Sequence, residues 1–116
     1  MTVTIYHNPR CSKSRQTLEL LKEHTQDIAI VEYLKTPPNS TMLKEILAKL
    51  AIPAQDLVRR KEQLFKELGL ANQTLNEQQW IEVLAKHPKL IERPIVVNGE
   101  KAVIGRPPEN IHTLFS

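Results

Sequence analysis

Apolar positions along the chain follow two rhythms. Short apolar runs, rich in β-branched residues, stand near both ends: about Thr2 to Tyr6, Ile28 to Tyr33, Ile95 to Val97 and Ala102 to Ile104. Their length and composition predict strands. Between and beside them the spacing is helical. Leu43, Ile46, Leu47 and Leu50 recur at i, i+3, i+4 and i+7, an amphipathic helix that Pro53 is expected to end. Thr17, Leu18 and Leu21 share one face of a first helix from about Ser12 to His24, and Gln26-Asp27 breaks the chain after it.

The remaining elements are set by punctuation. Ala54 to Val58 predicts one short helical turn, and Glu62 to Leu68 a short helix closed by Gly69. Asn76 with Gln79, or Thr74 with Glu77, can form a capping pair for a helix burying Trp80, Ile81 and Leu84. His87-Pro88 ends that helix. Asn98-Gly99 between two apolar runs predicts a hairpin with a type I′ turn. Pro108 to Phe115 is a closing helix. The order β-α-β, several helices, β-β-α implies an α/β fold with a four-stranded mixed sheet, because the first two strands need a parallel crossover. One domain over residues 1–116 is expected, with a helical insertion at about 40–92 between its halves.

Composition narrows the functional classes. The chain has 116 residues, 41% of them hydrophobic, which suffices for one core; with one Trp, two Tyr and two Phe that core is mostly aliphatic. No run is long and apolar enough for a membrane helix, so no membrane partner is expected. Residues 1–10 carry no signal-peptide core, and a single cysteine gives no internal disulfide framework; both point to a reducing cytoplasmic setting. The net charge of +3 comes without a dense Lys/Arg run or interleaved aromatics, which argues against nucleic acid and for a small anion or an acidic partner. His24, His87 and His112 show no metal-ligand spacing, so no metal site is expected.

The chemistry concentrates in Tyr6-His7-Asn8-Pro9-Arg10-Cys11-Ser12-Lys13-Ser14-Arg15. A strand leads in, Asn8-Pro9 turns the chain, and a helix leaves, so Cys11 stands at a helix start with Ser12 and Ser14 as candidate N-caps. Unpartnered N–H groups and the helix dipole favour a thiolate there, as do Arg10, Lys13 and Arg15. Such settings bring a thiol from about 8.5 to about 3.5–7.5, so Cys11 is expected to be largely thiolate at neutral pH. The same loop can cradle an oxyanion. A buried, inert cysteine is the plain alternative, and the basic neighbours weigh against it. A redox cycle needs a second thiol, which here must come from outside: a small thiol such as glutathione, a redox protein or a second copy.

YHNPRCSKSRQTL, followed by RPIVVNG and IGRPP, resembles the glutaredoxin-linked arsenate reductase family over essentially the whole chain. The resemblance implies a thioredoxin-like fold and, with it, a cis Arg93-Pro94 bond facing the cysteine. It implies Cys11 as the nucleophile on arsenate. Arg59 (with Arg60 adjacent), Arg93 and Arg106 then hold the oxyanion, and glutathione and glutaredoxin serve as external reductants with no bound cofactor. Ser12 and Lys13 stand where well-known arsenate reductases carry glycine and threonine. This places the chain nearer an arsenate-reductase-like subgroup.

Supporting roles are more open. His7 can hydrogen-bond the thiolate, orient the loop or be a structural turn histidine. Ser14 can donate to the sulfur or cap the helix, and Arg15 can face the anion or solvent. Two other functions share the fold: a monothiol-glutaredoxin-like thiol-redox protein, and a non-enzymatic regulator that binds RNA polymerase. The latter usually carries a Cys-x-x-Cys switch, and Ser14 occupies the second position here. A low-molecular-weight phosphatase is rejected, because its cysteine and arginine are five apart and Arg15 follows Cys11 by four.

Overall fold

In a computed structural model, residues 2–115 are described. The chain forms two compact units, Met1–Thr36 with Arg93–Ser116, and Pro37–Glu92. The first holds the four-stranded mixed sheet that the element order predicts. β1 (Val3–His7) is central, parallel to β2 (Ile28–Glu32) and antiparallel to β3 (Ile95–Asn98), which pairs with β4 (Lys101–Ile104) in the order β2-β1-β3-β4. α1 (Ser12–Lys22) crosses between β1 and β2. This is the thioredoxin-like arrangement. Val3, Ile5 and His7 of β1 are buried, alternating with half-buried Thr4 and Tyr6. Val3, Ile5, Leu21, Val96, Ile111 and Leu114 form the core of this unit.

Two local expectations are corrected here. The hairpin turn is Gly99-Glu100, not Asn98-Gly99, because Asn98 pairs with Lys101 inside the ladder. Gly99 has φ +64 and Glu100 does not share the positive sign, which is the type II′ pattern rather than I′. Asn98 instead donates from its side chain to the Leu114 carbonyl at 2.9 Å, tying the hairpin to the C-terminal segment. That segment, Pro108–Phe115, is 3-10 rather than α. Its buried residues are Pro108, Ile111 and Leu114, a spacing of three, which a helix of three residues per turn places on one stripe.

The Pro37–Glu92 unit is helical. α2 (Ser40–Leu50) buries Leu43, Ile46 and Leu47, with Asn39 capping it by accepting the Met42 N–H at 2.8 Å. It ends before Pro53: Ala51 turns left-handed at φ 58 and its N–H returns to Leu47 and Ala48. A 3-10 turn (Ala54–Leu57) and α3 (Gln63–Glu67) follow, and Gly69 closes α3 at φ 65. α4 (Glu77–Lys86) starts at a full Asn76/Gln79 capping box, and Trp80, Ile81 and Leu84 are its buried face. An antiparallel bridge unseen in the pattern, Val58 with Ile91, joins two loops. It is flanked by Arg59 N–H to Leu90 O and Glu92 N–H to Leu57 O, both 2.7 Å.

Arg93-Pro94 is cis, as the resemblance implies, and Arg106-Pro107 is cis too. Gly105 sits between them in space. Its N–H reaches the Pro94 carbonyl at 2.8 Å, and a Cβ there would lie 2.7 Å from Thr17 Cγ2 and 3.0 Å from Pro94 Cγ. Gly105→Ala should therefore cost about 1–3 kcal/mol by overpacking. Urea unfolding checks this, and a midpoint equal to wild type would show that the contact relaxes freely.

Candidate active site

The loop between β1 and α1 is built by its own polar atoms. Asn8 accepts the Cys11 N–H on its carbonyl and the Arg10 N–H on Oδ1, both at 3.0 Å, which closes a tight Asx-type turn. The Arg15 guanidinium donates from Nη1 to the Pro9 carbonyl at 2.9 Å, so Arg15 braces the loop backbone from an exposed position. Cys11 itself is the N-cap residue, with φ −93 and ψ 123, and Arg15 N–H gives the first helical hydrogen bond to its carbonyl at 3.0 Å. Neither Ser12 nor Ser14 is the cap. Ser12 is exposed, and Ser14 lies inside the first turn, fully buried.

The Cys11 thiol is half-buried, and burial by itself pushes its pKa up. The opposing groups are the Ser14 N–H, the charge and hydrogen bond of Arg93, and the Lys13 N–H; together they hold the thiol below its ordinary value. The N-cap position explains the two amides. A cap side chain lies beside the N–H groups two and three residues on, and their dipoles act on the sulfur although it closes no cap hydrogen bond. Arg93 comes from the far end of the chain, at the cis bond that opens β3.

His7 and Ser14 form a buried pair, Nδ1 to Oγ at 2.6 Å, and the Ser14 Oγ also accepts the Asn8 N–H at 3.0 Å. His7 thus orients the loop through Ser14, and the Ser14 hydroxyl is engaged away from a capping role. Burial lowers the His7 pKa. Glu32, its register partner in β2, raises it, while Arg15 and Lys22 lower it further. The unfolded chain binds this proton near 6.5 and the folded chain only at lower pH, so stability is full above about 6.5 and falls as pH drops below it. In urea unfolding at several pH values, His7→Gln should flatten that slope. An unchanged slope would remove His7 as its source.

The other arginines are placed differently. Arg106 is exposed on the loop after β4, and its carbonyl accepts from Asn110 Nδ2 at 3.2 Å. Arg59 lies in the Pro37–Glu92 unit, its Nη1 3.3 Å from Glu62 and its Nε 3.4 Å from Glu92. Neighbouring Arg60 stacks its guanidinium over Phe65 and Trp80 at 5.7 and 5.8 Å, a packing role that separates it from Arg59.

The helix-start amides expected at the sulfur are those of Lys13 and Ser14. Sequence reading missed two parts of this region, the buried Thr17 hydroxyl and the two carboxylates on Arg59, and neither had a local signal. The histidines are also less scattered than their spacing suggests. His24 Nε2 and His112 Nδ1 meet at 3.1 Å, and Phe115 stacks on His24 at 4.5 Å. Among the described residues no group of three or more His, Cys, Asp or Glu could hold a metal ion, and no helix is long and apolar enough to cross a membrane.

Comparison with known proteins adds to this geometry. Residues 6–114 match the model of the ArsC family. The chain is 47% identical over 114 residues to an arsenate reductase of Neisseria meningitidis, covering 97% of both chains. It is 52% identical over 110 residues to the Escherichia coli protein named "Uncharacterized protein YfgD", covering 94% of this chain and 92% of that one. The solved arsenate reductase of Vibrio cholerae superposes with a TM-score of 0.93 at 43% identity, covering 98% of each chain.

Proposed function

The chain belongs to the ArsC family, and from that premise we propose that it reduces arsenate to arsenite with Cys11 as the nucleophile. The observation that carries the reading is the Cys11 sulfur itself, acted on by the Arg93 guanidinium and two helix-start amides that together favour the thiolate. The thiolate forms a sulfur–arsenic bond, and one arsenate oxygen leaves as water after taking up protons. Arsenic stays at the +5 level in this step.

Reduction needs two electrons, and the chain has one thiol. Glutathione displaces a second arsenate oxygen as water and forms its own sulfur–arsenic bond. The glutaredoxin thiolate then attacks the glutathione sulfur; the two external thiols end as a mixed disulfide, and the electron pair of the broken sulfur–arsenic bond takes arsenic to +3. Water replaces the Cys11 sulfur on arsenic, so arsenite leaves and the thiol is restored. Arg93 and Arg106 neutralise the oxyanion, and Arg59 is assigned to it by the family resemblance alone; a guanidinium suits an oxyanion because its fork donates parallel hydrogen bonds and stays charged. No bound cofactor takes part, and the setting is cytoplasmic.

The test is arsenate-dependent NADPH oxidation coupled through glutathione reductase, with glutathione and a glutaredoxin present. Turnover that requires all three components establishes the reading. A second reading, thiol transfer without arsenate, is favoured by one observation: Ser12 and Lys13, both exposed, add a side chain and a positive charge to the segment that follows Cys11. Absence of arsenate turnover with rapid Cys11 glutathionylation would select it.

A further inference from the structure

The Thr17 side chain is fully buried on the inner face of α1, nearly two turns beyond Cys11. Its hydroxyl lies 2.8 Å from the Lys13 carbonyl and 2.9 Å from the Gly105 carbonyl, 88 residues away in the sequence. One proton thus serves two acceptors. The bond to Lys13 is the local back-bond that helical threonines often make. The bond to Gly105 reaches a different part of the unit.

Gly105 stands at a junction. Its N–H reaches the Pro94 carbonyl at 2.8 Å, and its α-carbon is pressed between the Thr17 side chain and the Pro94 ring, with no room for a Cβ. Arg93 directly precedes Pro94, and Arg106 directly follows Gly105. A buried carbonyl needs a partner, so loss of the Thr17 hydroxyl would leave the Gly105 carbonyl unpaired and loosen this segment on α1.

We propose that Thr17 is a positioning residue for the oxyanion site: through Gly105, its hydroxyl sets the backbone carrying Arg93 and Arg106 against the helix that starts at Cys11. This rests on the reading of Cys11 as an arginine-assisted nucleophile. Thr17 touches neither sulfur nor substrate and acts only through the segments it joins. Misplacement of clamp groups by about 1 Å can cost up to about 10²-fold in rate.

Thr17→Val keeps the shape and removes the hydroxyl, whereas Thr17→Ser keeps the hydroxyl and removes the methyl. Two measurements apply to each: the pH midpoint for alkylation of Cys11 by iodoacetamide, and KM and kcat for arsenate. Thr17→Val is expected to move the midpoint upward, as Arg93 loses its seat, and to raise KM by roughly 10-fold or more. Thr17→Ser is expected to restore both.

Should Thr17→Val not fold, Thr17→Ala removes the hydroxyl without setting a second methyl against the carbonyl, and the same shifts are expected of it. A variant that lowers only thermal stability, with midpoint and KM at wild-type values, overturns the proposal. So does a Thr17→Ser protein as impaired as Thr17→Val. Absence of arsenate turnover in the wild type would count against the substrate reading, and the alkylation midpoint, which needs no arsenate, would then decide the role of Thr17.

Discussion

Replacing Cys11 with serine is expected to abolish arsenate-dependent NADPH oxidation. A serine hydroxyl does not ionise near neutral pH, so the amide and arginine groups that favour a thiolate have no anion to hold. Removing a nucleophile outright costs roughly 10⁴–10⁶-fold in kcat. The chain has no second cysteine to substitute, so the residual rate should equal that of the reductant system without enzyme. Cys11→Ser should also keep its fold, because Cys11 is only half-buried and its backbone, not its sulfur, closes the loop. A folded mutant with more than about a hundredth of wild-type turnover would refute the nucleophile assignment.

Arg93→Ala carries the second large effect, and it should show in two independent readings. Arg93 acts on the Cys11 sulfur by both charge and hydrogen bond. Its removal leaves burial, which pushes the thiol up, opposed by the two amides alone. The alkylation midpoint should therefore rise. Arsenate turnover should fall by about 10²–10³-fold, the usual cost of losing one preorganised donor to a developing oxyanion. Arg93→Lys keeps the charge but not the fork, so it should recover the thiol midpoint better than the turnover. Arg106→Ala offers the contrast. It should lower turnover by a similar ~10²–10³-fold factor while leaving the midpoint in place, because the cationic side chain acting on the sulfur is Arg93. Wild-type rates in both variants would refute the oxyanion roles.

These two predictions draw on different kinds of information. That Cys11 opens a helix is written locally: an apolar strand, an Asn-Pro turn and a helical repeat fix it within a few residues. That the chain offers one thiol follows from counting one cysteine, and the proposed reduction takes its outside thiol from that count. The element order along the chain and the Gly69 stop were equally local, and the structure has them where the spacing places them; of the two capping pairs open to α4 it forms Asn76/Gln79.

What local pattern cannot encode is which distant atoms meet. Asn98-Gly99 reads as a turn, but the ladder register with β1 carries Asn98 into the strand and shifts the turn to Gly99-Glu100. Pro53 reads as the stop of α2, yet Ala51 turns first, since its N–H can return to Leu47 and Ala48. Ser14 reads as a cap until His7, seven residues earlier, engages its hydroxyl.

The sequence by itself determined the fold class, the place of Cys11 at a helix start and the supply of a single thiol. These follow from periodicity, turn chemistry and composition, which act over a few residues. Only the tertiary structure decided that Arg93 is the side chain that acts on the sulfur, that Arg59 faces two carboxylates, and that Thr17 joins α1 to Gly105. Such pairings depend on the path of the whole chain. A hydroxyl and a carbonyl far apart in sequence share no pattern until folding buries them together and leaves each the other's hydrogen-bond partner.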